Sequence, residues 1–307
     1  RSSDLHPYLY REIAAVQDSD QRAGRKAFDA AFAGHVSFML RNIAGSFLHA
    51  LSLGRFASSP VEHEMAHWYR QIGRYAQSFA LVGDWTVAFL GGHLKRKQQL
   101  SGRMADILGD LYLLSSVLKR YEDEGRIPED RPVVDAIARD LVFAIEQSFA
   151  AVFANFPNPV LRWAMRVLVF PLGRHARPNS DRADFRLARA MLAPGAFRDR
   201  MTTGTYVSTD PKDPTGMMED ALKKVVGAEE IEAKFTRAIK KGVVERRLDR
   251  DAISDAIAAE VITREEAVIL RAADEAADRA IRVDDFDFDE LGSRQVPRSA
   301  PVETAAE

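Results

Sequence analysis

Apolar residues recur at steps of three and four through most of the first half of the chain. Phe28, Phe32, Val36, Met39, Ile43, Phe47 and Ala50 form one such stripe between residues 20 and 51. Steps of that size share one face of an α-helix. Ser52-Leu53-Gly54 breaks the pattern, and Gly54 suits a left-handed exit. Ser58 or Ser59 can cap a second helix with Pro60 in its first position, and Met65, Trp68, Ile72, Tyr75, Phe79, Val82 and Phe89 carry it to Gly91-Gly92. A third stripe runs from Leu100 through Ile107, Leu111, Leu114 and Leu118 to Tyr121 and stops at Gly125. A fourth opens at Pro128 and carries Val134, Ile137, Leu141, Ile145 and Val152 before Pro157. Each stretch is about 25–32 residues, or roughly 40–48 Å long. Short Gly/Pro connections between helices of equal length force antiparallel neighbours. The expected fold is all-α, with an antiparallel four-helix bundle over residues 1–157.

The pattern then changes. Helical segments shorten to 181–192, 215–226, 228–241, 251–260 and 263–282, and the linkers gain Pro, Gly and Asp. Thr263 with Glu266 reads as a capping box opening the last helix. Residues 158–291 are therefore expected to form a smaller, irregular helical region, and 292–307 a flexible tail without periodicity. No stretch alternates long enough to require a sheet.

Composition narrows the classes. The 307 residues are 46% hydrophobic and 29% charged, enough for a buried core. Lys+Arg 43 against Asp+Glu 45 leaves a net charge of −2, so no global basic field points to nucleic acid. The chain has no cysteine, which removes disulfides, thiol catalysis and cysteine-ligated zinc and fits a cytoplasmic setting. No apolar run reaches the roughly 20 residues that span a bilayer. Arg1-Ser2-Ser3-Asp4 carries neither an initiator Met nor a signal core, which reads as a piece of something longer.

Three features carry candidate chemistry. His63-Glu64-Met65-Ala66-His67 matches H-E-x-x-H, in which two imidazoles on one helix face bind zinc and the Glu is the general base. On an ideal helix, however, the stripe holding His63 and His67 also holds Arg70 and Arg74 and lies away from Trp68 and Ile72, which favours a solvated face. Asp284-Asp285-Phe286-Asp287-Phe288-Asp289-Glu290 suggests a calcium loop, but Glu290 would stand where Gly is required and Val296 where the closing Glu belongs. No metal ligand is assigned. The third feature is the interval from Gln147 to Ser180, which has no acidic residue but contains Arg162, Arg166, Arg174 and Arg177. Around its Val160–Phe170 helix the apolar arc exceeds what one packing face needs. Leu161, Arg162, Trp163, Arg166, Phe170 and Arg174 then form a candidate surface. It meets either an anionic membrane or protein, the latter within the chain or across a dimer.

Several segments, taken in order, resemble the C-terminal region of the long bacterial (FadE-type) acyl-coenzyme A dehydrogenases. They are His6-Pro7-Tyr8-Leu9, Gly54-Arg55-Phe56-Ala57, Tyr69-Arg70-Gln71, Leu118-Lys119-Arg120-Tyr121, Asn155-Phe156-Pro157-Asn158, Phe170-Pro171-Leu172-Gly173-Arg174 and Val283-Asp284-Asp285-Phe286-Asp287. The likeness covers residues 5–291. It implies FAD as cofactor, a fatty acyl-CoA as substrate, a homodimer, and an upstream core holding the catalytic Glu and the flavin. In such enzymes that Glu stands in a Glu-Gly segment shortly before the His-Pro-Tyr landmark, and no Glu precedes His6 here. Glu124-Gly125 reads instead as a helix end. No catalytic or cofactor-binding residue is therefore carried over. The expected role is an accessory portion, cytoplasmic and peripheral on the inner face of the cytoplasmic membrane. A free-standing helical scaffold is the alternative, and a zinc hydrolase the remote one.

Overall fold

The computed structural model describes residues 8–245 and 251–283. Those residues contain helices and no strand. The chain divides into two compact units, Arg1–Arg189 and Ala190–Glu307.

The first unit holds a short α1 (Leu9–Val16) and four long helices: α2 (Gln21–Leu51), α3 (Ala66–Leu90), α4 (Gln98–Asp123) and α5 (Arg131–Asn155). A 3-10 turn at Gly91–Arg96 and α6 (Pro159–Val169) follow, and α7 (Asp181–Leu192) continues past the division at 189/190. Side-chain bonds fix the directions. Ser46 meets Ser78 at 2.9 Å while Gln71 reaches the Leu53 carbonyl, so α2 and α3 are antiparallel. His63, just before α3, lies 2.9 Å from Glu122 at the end of α4, so α4 reverses again. Trp68 donates to Asp135 and Tyr75 to Glu146, so α3 and α5 run in the same direction.

The core is built by α3, α4, α5 and α6, through fully buried residues such as Tyr75, Leu114, Leu118, Ile145, Phe149 and Met165. Each contributes about 1.5–3 kcal/mol by leaving water. No residue of α2 belongs to that cluster. The expected core stripe of α2 is turned partly away from its buried face: Phe32 (53%) and Val36 (40%) are exposed, while Ala50 is buried. The reason is a seam of small and polar residues. Asn42 and Ser46 are buried toward α3, and Gln77 donates to Asn42 at 3.1 Å. At Gly45 a Cβ would stand 2.7 Å from the end of the Gln77 side chain, so any larger residue there would make Gln77 move.

Several helix ends follow local chemistry. Asp20 caps α2 by accepting from Arg22 and Ala23, and Asn158 caps α6 by accepting from Val160 and Leu161. Gly54 (φ +88°) takes the left-handed exit expected of it. Two starts fall later than expected: α3 begins at Ala66 and not at Pro60, and α5 at Arg131 and not at Pro128. Ser59 bonds Val61 in both directions, closing a local turn instead of capping a helix.

The two compact units divide at 189/190, later along the chain than the expected change at 157. Met165, Val169 and Phe170 are buried in the first unit's core. The following strap, 171–180, runs back along α5, where Glu146 accepts from the Ala176 N–H (3.0 Å) and Asp140 from the Asn179 N–H (3.1 Å). The acid-free interval thus meets its acids on another helix.

In the second unit α8 (Ala196–Met201), α9 (Pro214–Lys240), α10 (Ala252–Ala258) and α11 (Arg264–Ile281) follow. Ala228, Ile231, Phe235, Leu270 and Ala273 form the core between α9 and α11. The break expected at residue 227 is absent, because Gly227 sits inside α9 with open space around it. The Thr263–Glu266 capping box is present, both bonds made. Residues 284–290 and 292–307 lie outside the described residues.

Several carboxylates of this unit are held ionised by hydrogen bonds and cations. Glu219 accepts two bonds from Arg198, at 3.0 and 2.7 Å, and that guanidinium holds its carboxyl below the usual value of 4.5. Hydrogen bonding likewise lowers Asp213, chiefly from Thr215, and Glu266, chiefly from Lys234. A depressed folded-state value means stability that is present above the unfolded value and lost as pH falls through the folded one. Melting of this unit is expected to drop as pH goes below 4.5. Glu219→Gln should flatten that slope in circular-dichroism melts, and a slope identical to the parent's would remove Glu219 from the account.

Candidate functional site

The helix α6 exists because Asn158 caps it and Pro159 fills its first turn. It presents different faces to different surroundings. Met165 and Val169 point into the core, and Leu161 lines an apolar groove with Met39, Ile43, Trp85, Ala88 and Phe89. The outward face keeps Val160 (70% exposed) and Trp163 (67% exposed) in solvent.

Around the other edge of α6 lies a concavity of ≈ 580 Å³, walled by α5, α6 and the start of the strap. Arg162, Trp163, Arg166, Phe170 and Arg174 all line it, so five of the six residues chosen from sequence come together. Leu161 does not join them. Phe153, Ala150 and Ala154 supply an apolar wall that sequence reading missed, because their periodicity marks them only as α5 core. Arg162 donates one bond to the Phe156 carbonyl at 2.9 Å, and Arg174 donates to Gln147. Among the described residues none of the three guanidinium groups meets a carboxylate, and Arg166 has no polar partner at all.

Phe170 requires a correction. It is only 8% exposed and stands edge-on to Phe149 (6.2 Å, 85°) and Phe153 (5.9 Å, 65°). It anchors the end of α6 in the core and forms the floor of the concavity, so it is no free surface residue. A charge placed there would test folding.

The H-E-x-x-H segment does not build a helical metal face. His63 precedes α3 and pairs with Glu122, while His67 lies tilted against Trp68 (4.3 Å, 42°) and bonds the Glu64 carbonyl. No group of three potential ligands that could hold a metal occurs among the described residues. Arg74, expected on the solvated face, is 3% exposed, with its guanidinium 4.7 Å over the Tyr75 ring. Beside it, Tyr75 donates to the buried Glu146 at 2.6 Å. Burial pushes the Tyr75 phenol up, Arg74 pulls the other way, and the Glu146 carboxylate adds to the rise. With Glu146 also holding the strap, this buried cluster is structural. It was invisible to periodicity, which reads only the apolar residues.

Residues 5–286 match the family described as acyl-CoA dehydrogenase, C-terminal, bacterial type. The chain belongs to that family. No solved structure matches it significantly. Seen on the structure, several landmarks that carry the likeness to bacterial acyl-CoA dehydrogenase C-terminal domains are joints between helices. Gly54 ends α2, Phe156 is fully buried between α5 and α6, Asn158 caps α6, and Phe170 pins its end. Among the described residues no helix is long and apolar enough to cross a membrane.

Proposed function

We propose that this chain is the accessory C-terminal portion of a FAD-dependent acyl-CoA dehydrogenase of fatty acid β-oxidation, an oxidoreductase converting acyl-CoA to trans-2-enoyl-CoA. In this reading the catalytic Glu and the flavin site lie in an upstream core. The present residues brace that core, shape a homodimer, and rest the enzyme on the inner face of the cytoplasmic membrane. The observation that carries the reading is family membership over residues 5–286. The outward stripe of α2 supports it, because Phe32, Val36 and Leu40 offer apolar surface of the kind a partner covers. For the membrane role the support is α6, which pairs exposed Val160 and Trp163 with exposed Arg162 and Arg166.

FAD is implied for the whole enzyme and supplies the hydride acceptor there. The concavity beside α6 is lined by guanidinium groups, aromatic rings and small apolar side chains, and offers no side-chain acceptor for the flavin ring N3–H. No residue of this chain is assigned to the flavin.

The test is a polypeptide extended upstream. It should be yellow and oxidise acyl thioesters, while a colourless and inactive extension would count against the reading. For the surface role, Val160→Glu with Trp163→Glu should cut flotation with anionic liposomes several-fold. Both side chains are already in water, so the fold should survive. Unchanged flotation would leave α6 a packing element only.

A further inference from the structure

Three cations converge on one concavity without an acid to balance them. Arg162 and Arg166 project from one edge of α6, and Arg174 approaches from the strap. Like charges held together without counter-charge repel, and the arrangement is relieved when an anion enters. Guanidinium forks suit phosphate oxygens, with which they form paired charge-assisted hydrogen bonds. Arg162 keeps donors to spare after its one bond to the Phe156 carbonyl, and Arg166 keeps all of its own.

The rest of the wall is apolar. Phe153 and Phe170 close the base, and Trp163 forms the rim with its indole largely in solvent. A small inorganic anion would leave the exposed Trp163 ring in water. At ≈ 580 Å³ the space falls within the usual size of small-molecule sites, about 300–1,000 Å³, and exceeds what one phosphate needs.

We propose that this concavity binds a phosphate-headed amphiphile, with Arg162, Arg166 and Arg174 around the phosphate and Trp163, Phe153 and Phe170 against the apolar part. This deepens the surface role proposed above and rests on it. A diffuse attraction to anionic lipid becomes capture of one headgroup in a defined site. The same phosphate chemistry could come from a membrane lipid or from a soluble phosphate, and the experiment separates them.

The probes are dihexanoyl phosphatidylglycerol, dihexanoyl phosphatidylcholine and inorganic phosphate, each titrated into the chain below micelle-forming concentrations. Trp163 emission is isolated as the difference from a Trp163→Phe variant. The phosphatidylglycerol is expected to shift that emission to the blue and to bind about tenfold or more tightly than the zwitterionic lipid. The double variant R162Q/R166Q, altered only at exposed positions, should lose at least that factor. Equal affinity for the two lipids, or an unaffected double variant, overturns the site. Inorganic phosphate that binds as tightly as the lipid overturns the amphiphile and leaves a soluble-phosphate site. Flotation with phosphatidylglycerol vesicles is read in parallel. Flotation without soluble-lipid binding sinks the headgroup site alone, whereas no flotation of the parent chain sinks the surface role as well.

Discussion

Glu146→Ala is expected to destabilise the first unit by about 3 kcal/mol or more and to free the strap 171–180 from α5. The carboxylate is 1% exposed and accepts from Tyr75, Ala176 and, at 3.4 Å, His175. Truncation leaves the buried phenol and one or two backbone N–H groups without an acceptor, and each orphan costs roughly 1–3 kcal/mol. Arg74, over the Tyr75 ring, already has an Nε without a partner among the described residues. Glu146→Gln keeps an acceptor for Tyr75 and should cost markedly less. Urea unfolding gives the stability difference, and amide exchange gives the location. Faster exchange at Ala176 and Asn179 in the alanine variant, with α9 and α11 unchanged, is the expected pattern. A strap that stays protected would show that Asn179, through Asp140 and the Ala136 carbonyl, suffices to hold it.

The same contacts explain how much of the molecule could be read from its residues. Four long helices were legible because each repeats its apolar spacing over at least 25 residues, so many weak signals add. Caps at Thr263 and exits at Gly54 were legible because they act within a few residues of themselves. Which way a helix faces was harder. In α2 periodicity marks the Phe28–Phe47 stripe as core, yet Asn42, Ser46 and Gly45 set the contact by letting backbones approach. Polar positions have no signature of their own in a hydrophobic pattern. Arg74 and Glu146 are buried for the same kind of reason, each satisfied by partners distant in sequence.

For the candidate site the residue types were right and the assembly was not legible. The missing acids between Gln147 and Ser180 pointed to an electropositive segment. Nothing in the spacing placed Arg174 beside Arg162 and Arg166, because a turn at Pro171-Leu172-Gly173 brings it back. Phe170 belonged on the list for a reason other than the one that chose it. Its side chain fixes the end of α6, and hence where the arginines stand. Packing in the core therefore sets the geometry of the charged surface.

That dependence makes Phe149→Ala the most damaging single truncation expected here. Phe149 is fully buried, with Tyr75 at 6.3 Å, Phe153 at 5.9 Å and Phe170 at 6.2 Å between ring centroids. Removing a buried phenylalanine ring costs about 3–5 kcal/mol, from lost transfer energy and the cavity left behind. Edge-on and tilted ring pairs add roughly 0.5–1.5 kcal/mol each in favourable cases, so the upper half of that range is expected. The cavity would open directly behind Phe170, loosening the end of α6 before the rest of the unit. Differential scanning calorimetry should show the first unit melting well below the parent. Trp163, already exposed, should gain mobility by fluorescence anisotropy at temperatures where α3–α5 remain folded. Phe149→Leu, which fills most of the space, should recover more than half of the loss. Equal destabilisation by Leu and Ala would mean that ring geometry, and not volume, holds α6 in place.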